Sequence, residues 1–309
     1  MTDSLLLRRL ERGEVLVCDG AMGTELQKRG ITTGGCSEEY NLTHPEIIRD
    51  VYADYFRAGS DMIETNTFGC NAYRLSMHKL EHQLETFCSE SVRLAREALA
   101  LVHPDAVPGQ YFISGSVGPT GQMIEPMGEA RAEDVSDAFA REVRALAKAG
   151  VDVLQVETMM AIDEAVLAVR AAKEHASLPV IATMTFEGSG GVYNTMWGVS
   201  VEEAVERLSE AGADILGANC GNGFDEMIGI IGAMRPLTHK PLLAKANAGM
   251  PEWVDGVAVY KQTPEVIREK AERLLALGIN IIGGCCGTGP AHIRTIAELV
   301  RTRMQGVQR

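Results

Sequence analysis

Hydrophobic residues fall along this chain in short continuous runs rather than in alternation. The runs cover residues 15–21, 62–68, 111–117, 153–158, 180–186, 215–220, 241–247 and 279–286. A strand with helices on one face and a barrel interior on the other reads this way. Amphipathic stretches with start signals lie between the runs. Thr43-His44-Pro45-Glu46 and Ser200-Val201-Glu202-Glu203 have capping-box spacing, and Thr263 precedes a proline suited to a first helical turn. Eight strand–helix units with no Pro/Gly/Ser-rich linker predict an α/β fold, a single (β/α)8 TIM barrel domain over residues 1–309. A doubly wound sheet is the alternative, but no G-x-G-x-x-G follows the first strand.

A repeated punctuation mark supports the eight units. Ala58-Gly59-Ser60-Asp61, Ala149-Gly150-Val151-Asp152, Ala211-Gly212-Ala213-Asp214 and Leu277-Gly278-Ile279-Asn280 each end a helix and launch strand two, four, six or eight. Those strands close on Glu64-Thr65, Glu157-Thr158, Asn219-Cys220 and Cys285-Cys286. Polar and sulfur-bearing residues therefore gather at strand C-termini, where such barrels place their active sites.

Composition narrows the class. A formal net charge of −13 opposes binding to nucleic acid or to anionic lipid. No apolar stretch is long enough to span a membrane, and the charged N-terminal run does not read as a signal peptide. Seven cysteines without a secretion signal suit a reducing, cytoplasmic setting, where thiols stay free or bind metal. Cys18, Cys36, Cys70 and Cys88 read as core residues.

Cys220, Cys285 and Cys286 differ. Alternate strands of a closed barrel feed one interior layer, so strands six and eight can bring the three thiols to one mouth. Adjacent cysteines on a regular strand would face opposite ways. The backbone at Cys285-Cys286 must therefore leave strand geometry, and the glycines around it give that freedom. Three cysteines without a fourth protein ligand are the pattern of a zinc site with an open position; the alternative is inert packing.

Asp19-Gly20-Ala21-Met22-Gly23-Thr24-Glu25, Thr65-Asn66-Thr67-Phe68-Gly69, Gly217-Ala218-Asn219-Cys220 and Gly283-Gly284-Cys285-Cys286-Gly287-Thr288 together resemble the homocysteine S-methyltransferase family. The resemblance runs from about Val15 to Leu299. Residues 118–128 and 244–256 are most similar to the homocysteine-binding module of cobalamin-dependent methionine synthase. It implies methyl transfer to the thiol of homocysteine, giving methionine, with Zn²⁺ on Cys220, Cys285 and Cys286. It implies that Asp19 and Gly20 hold the amino-acid end of homocysteine and that Glu157 pairs with its ammonium. It further implies that Asn219 stands beside the zinc and that Thr65 and Asn66 line the pocket. A zwitterionic substrate wants just such a carboxylate and backbone N–H groups.

The methyl donor is less legible. Enzymes of the methionine synthase branch carry separate folate and cobalamin modules. No histidine here has an aspartate two places before it, so the cobalamin-ligating D-x-H-x-x-G is missing. The branch resemblance points to methylcobalamin or another methylcorrinoid supplied in trans by a corrinoid protein. S-methylmethionine or betaine is the alternative donor, and another small thiol the alternative acceptor. Two further readings stay open. Gly287-Thr288-Gly289-Pro290 opens a helix where barrels bind phosphate, and a thiol-sensing zinc protein would need no catalysis.

Overall fold

The structure is a computed structural model that describes residues 4–31, 35–254 and 257–307. Eight parallel strands form one sheet: β1 (Leu16–Val17), β2 (Met62–Glu64), β3 (Phe112–Val117), β4 (Val153–Met159), β5 (Val180–Met184), β6 (Ile215–Cys220), β7 (Leu242–Ala246) and β8 (Ile281–Gly284). β8 pairs with β1, and a bridge between Cys18 and Met62 closes the ring. Each strand is followed by a main helix: α1 (Pro45–Ala58), α2 (Leu84–Val102), α3 (Ala132–Ala149), α4 (Ile162–His175), α5 (Val201–Ala211), α6 (Phe224–Met234), α7 (Pro264–Ala276) and α8 (Pro290–Val307). The (β/α)8 barrel expected from the sequence is the fold. Among the described residues, no helix is long and apolar enough to cross a membrane.

The strands alternate, so their inward residues stack in layers. The lowest inward residues, one from each strand, are apolar: Leu16, Met62, Phe112, Val153, Ile181, Ile215, Leu243 and Ile281. A helix before β1, Leu5–Glu11, presses Leu6 and Leu10 against them and plugs that end. Two positions further along, the inward set turns polar or small, with Glu64, Ser114, Gln155, Thr183 and Lys245 among its members.

The four glycine marks carry a device that the sequence alone did not reveal. Gly59, Gly150, Gly212 and Gly278 all take left-handed conformations at helix ends. The polar residue that follows then clasps the neighbouring strand. Asp61 donates its N–H to Val17 O and accepts the Val17 N–H on Oδ2, 2.9 Å. Asp152 does the same with Ile113, Asp214 with Val180 and Asn280 with Leu242. Four reciprocal clasps thus tie β1, β3, β5 and β7 to the residues that launch the even strands.

Of the expected caps, Ser200 forms its bond, accepting the Glu203 N–H at 3.2 Å. Thr43 does not. It ends a short helix, Tyr40–Thr43, and its hydroxyl bonds Glu39 O, leaving His44 as the cap of α1. Strand β2 is shorter than its hydrophobic run, because the chain turns at once so that Thr67 N–H reaches Thr65 O.

Candidate active site

The sulfurs of Cys220, Cys285 and Cys286 lie within 4.8 Å of one another at the C-terminal mouth, and Cys220 Sγ is 2.9 Å from Cys285 Sγ. Two local features aim them. Strand β8 ends at Gly284, and a tight turn follows in which Thr288 N–H and hydroxyl both bond Cys285 O. Gly287 completes that turn at φ +81°, with the Tyr260 ring against its Cα face, where no side chain would fit. Cys220 itself takes φ +62°, a conformation that costs a non-glycine residue about 1–2 kcal/mol. Hydrogen bonding from Cys220 and Cys285 pulls the Cys286 thiol low, while the same sharing pushes Cys220 up. Three sulfur donors meet at one point, an arrangement that a cation would complete. Asn247 borders the site: its backbone N–H bonds Cys220 O at 3.4 Å, and its side-chain Oδ1 is buried with no partner among the described residues. Three soft sulfur donors gathered within 4.8 Å of one another fit a zinc ion.

Asn219 organises the strand ends next to the sulfurs. Its Oδ1 accepts the Thr158 N–H at 2.8 Å and the Thr183 hydroxyl at 2.7 Å. Its Nδ2 donates to Thr158 Oγ1 at 2.7 Å and reaches Glu157 Oε2 at 3.4 Å and Cys220 Sγ at 3.7 Å. Thr158 is left-handed too, at φ +58°. One amide therefore braces two strained residues, on β4 and β6.

Glu157 lies in the same layer, 6% exposed. Its partners are neutral: the Ser116 hydroxyl and the Asn219 amide. Burial pushes its carboxyl up to about 7, against the pull of the Lys245 ammonium. Asp19 is more fully engaged. Its Oδ1 accepts from Lys245 Nζ at 3.0 Å and the Cys18 thiol at 3.3 Å, and its Oδ2 accepts the Glu64 N–H at 2.8 Å. Gly20 runs against the β8 turn; a Cβ there would sit 2.3 Å from Thr288 O. Thr65 bonds Thr67 and the Ser116 N–H in the wall between β2 and β3. Asn66 turns outward, spending its amide nitrogen on Ser37 O and Asn41 Oδ1. Cysteines 36, 70 and 88 are buried in the outer core, as their sequence reading held, and Cys18 joins the lower barrel cluster.

Sequence reasoning passed over Lys245, Gln155, Ser116 and Asn247, and it noted Glu64 as a strand-end residue without giving it a role. Lys245 was discernible as a lysine in the apolar run Leu242–Ala246, where a barrel strand would not carry one idly. A second cluster, Cys18, Asp19 and Glu64, is compact enough for a metal, but the Lys245 ammonium already occupies its charge. The turn before α8 does not suit phosphate. His292 Nδ1 takes the Gly289 N–H at 3.2 Å, and the Lys28 ammonium beside Gly289 is already paired with the Glu25 carboxylate at 2.7 Å.

Comparison with known proteins agrees with this geometry. Over 299 residues the chain is 32% identical to methionine synthase of Mycobacterium tuberculosis, covering 93% of this chain but 24% of that protein. It is 30% identical to bovine betaine–homocysteine S-methyltransferase 1, covering 95% of this chain and 74% of the relative. The chain thus spans about a quarter of the length of the methionine synthases it matches. The metallated form of the Escherichia coli homocysteine methyltransferase MmuM superimposes with a TM-score of 0.80 at 26% identity, over 96% of this chain and all of that one. The homocysteine S-methyltransferase family matches residues 16–300, and with the sulfur trio, the strand order and these relatives in agreement, the chain belongs to that family.

Proposed function

We propose that this chain transfers a methyl group to the thiol of homocysteine, giving methionine, with zinc held by Cys220, Cys285 and Cys286. The convergence of those three sulfurs at the barrel mouth carries the reading. Three thiolates and an open fourth position form the donor set of a catalytic zinc. When bound, zinc supplies a deprotonated, nucleophilic thiol at neutral pH. The protein's own residues do the rest. Glu157, unopposed by a cation of its own, accepts the substrate ammonium. Ser116 and Asn219 hold its oxygens in place without neutralising them. Asp19 and Gly20 set the loop whose backbone meets the substrate carboxylate, and Thr65 and Asn66 stiffen the adjacent wall. In the transfer, the new sulfur–carbon bond forms as the donor–methyl bond breaks. The donor leaves with that electron pair, and the thiol proton passes to solvent. Such a site requires free thiols, which suits the cytoplasm.

For the donor we favour a methylcorrinoid carried by a separate protein or module. The support is the methionine synthase relative and the rim itself. Trp197 is 50% exposed beside a groove of about 460 Å³ lined by Met123, Met127 and Met160. A rim groove with three methionines and an exposed tryptophan, edged by Arg74 and Asp163, suits a partner's face. The side chain of the chain's other tryptophan, Trp253, lies outside the described residues. The bovine relative's name favours betaine as the second reading, and the name of an orangutan relative puts S-methylmethionine beside it. Purified protein should contain about one zinc per chain. Methylcobalamin, S-methylmethionine and betaine, each offered alone with homocysteine, decide the donor. Methionine from methylcobalamin is expected. Methionine formed only from betaine or S-methylmethionine would overturn the corrinoid donor and leave the thiol chemistry standing.

A further inference from the structure

Lys245 takes no part in the reaction proposed above, yet it is fully buried on the barrel axis, 1% exposed. An ammonium in that position is costly unless its partners compensate. Burial works against its charge, but Asp19 and the neighbouring carboxylates outweigh burial and hold it protonated. Its contacts are direct: Asp19 Oδ1 at 3.0 Å and the Glu64 carboxylate. Gln155 donates its amide to the other Glu64 oxygen. Three carboxylates surround the axis, and two of them are thereby tied to one cation. The third, Glu157, meets only a hydroxyl and an amide. An incoming ammonium finds one carboxylate with no cation in contact in the upper layer, pulled on by Lys245 only from a distance, and none in the layer below.

We infer that Lys245 reserves Glu157 for the substrate: by occupying Asp19 and Glu64 it fixes the depth at which an amino acid sits, and so brings the thiol level with the three cysteines. It is a positioning residue and touches no reacting atom. The inference rests on the homocysteine reading given above. Without Lys245, Asp19 and Glu64 become two uncompensated carboxylates one interior layer deeper. Gln155 Oε1 and Ser114 Oγ lack partners among the described residues and would complete a false ammonium site there. That layer lies about 6–7 Å lower, two residues of strand rise. A substrate seated on it would have its sulfur withdrawn from the cluster.

The test uses cobalt-loaded protein titrated with homocysteine under two readouts, the heat of binding and the thiolate-to-cobalt absorption. In the natural protein both should saturate together. In Lys245→Met the heat should persist while the absorption at saturation falls about fivefold or more, as the deeper register takes over. Adding Glu64→Gln to Lys245→Met should restore at least half of the lost absorption. Wild-type absorption in Lys245→Met, or a double variant no better than the single, overturns the inference. Should Lys245→Met fail to fold or load, Glu64→Gln alone decides. It leaves Lys245 paired with Asp19, so its absorption should stay within about twofold of wild type. A loss as large as that of Glu157→Gln would place the ammonium at Glu64 and overturn the inference. No absorption change in the natural protein sinks the homocysteine reading and this inference with it. Loss in Glu157→Gln beside a normal Lys245→Met sinks this inference alone.

Discussion

The two ends of the barrel carry the same kinds of side chain and use them in opposite ways. At the N-terminal end, Asp61, Asp152, Asp214 and Asn280 each exchange two hydrogen bonds with one residue of the neighbouring strand. Three of them also meet a cation: Arg9 at 3.9 Å from Asp61, Arg96 at 2.9 Å from Asp152 and Lys173 at 2.9 Å from Asp214. Their lone pairs are spent on the chain's own backbone, and the apolar layer beside them is sealed by Leu6 and Leu10. At the C-terminal end, Glu157 is buried deeper but has only neutral hydrogen-bond partners, Cys220 and Thr158 are strained, and Asn247 Oδ1 has no partner among the described residues. A carboxylate bonded to backbone is a fastener. A buried carboxylate without a counter-charge, set among strained residues, is held ready for a ligand.

The largest expected effect breaks the upper end alone. Alanine at Cys220, Cys285 or Cys286 should abolish methyl transfer and bound zinc, while far-UV dichroism stays that of the folded barrel. The three thiols lie on the rim, and the two deeper layers do not depend on them. Full zinc retention in all three variants, by elemental analysis, would show that the metal site has been misplaced.

Next in size is Glu157→Gln, which should weaken homocysteine binding by about 2–4 kcal/mol, the cost of losing one partner of a desolvated charge pair. Zinc content should not change. The gap between wild type and variant should also depend on pH. Burial holds the carboxyl up at about 7, so below that pH Glu157 is protonated and resembles glutamine. The gap should therefore be widest above pH 7 and narrow as pH falls through it. A gap constant from pH 6 to 8.5 in calorimetric titrations would mean that the carboxylate charge is not what the substrate meets.

The sequence displayed these two ends unequally. Continuous apolar runs and four glycine marks were enough for eight strands and for the end that bears the site, because both are local signals. The clasps were hidden. Each joins residues 34 to 44 positions apart, and an aspartate opening a strand looks the same whether or not a partner waits across the sheet. In the site, the cysteine trio stood out because adjacent cysteines between glycines are rare. Lys245, Glu64 and Gln155 acquire meaning only once β2, β4 and β7 are known to face one axis. Asn66 shows the converse. Its motif pointed to the pocket, while its amide nitrogen is bonded outward to Ser37 and Asn41.

A smaller effect is expected at the lower end. Asp214→Ala strands the Val180 N–H in the sheet and removes the partner of Lys173. A buried donor left unmet costs about 1–3 kcal/mol, which should lower the melting temperature by several degrees. Homocysteine affinity should be untouched, since the clasp lies at the opposite end from the sulfurs. A change in affinity comparable to that of Glu157→Gln would erase the distinction between fastener and site.

The smallest effect sharpens the comparison most, because it separates the hydrogen bond of the clasp from its charge. Asp214→Asn keeps an oxygen for the Val180 N–H and loses only the attraction to Lys173. Both side chains are partly exposed, 24% and 30%, so that ion pair is screened and its loss should cost less than about 1 kcal/mol. The chain already holds this experiment in its fourth clasp. Asn280 accepts the Leu242 N–H at 3.1 Å where Asp214 accepts the Val180 N–H at 2.8 Å. Denaturation midpoints for the alanine and asparagine variants, at low and high salt, give the answer. Asparagine should fall close to wild type, and its small deficit should shrink as salt screens the ion pair. If asparagine is instead as damaging as alanine, and salt erases the difference from wild type, the clasps are ion pairs and the backbone bonds merely accompany them.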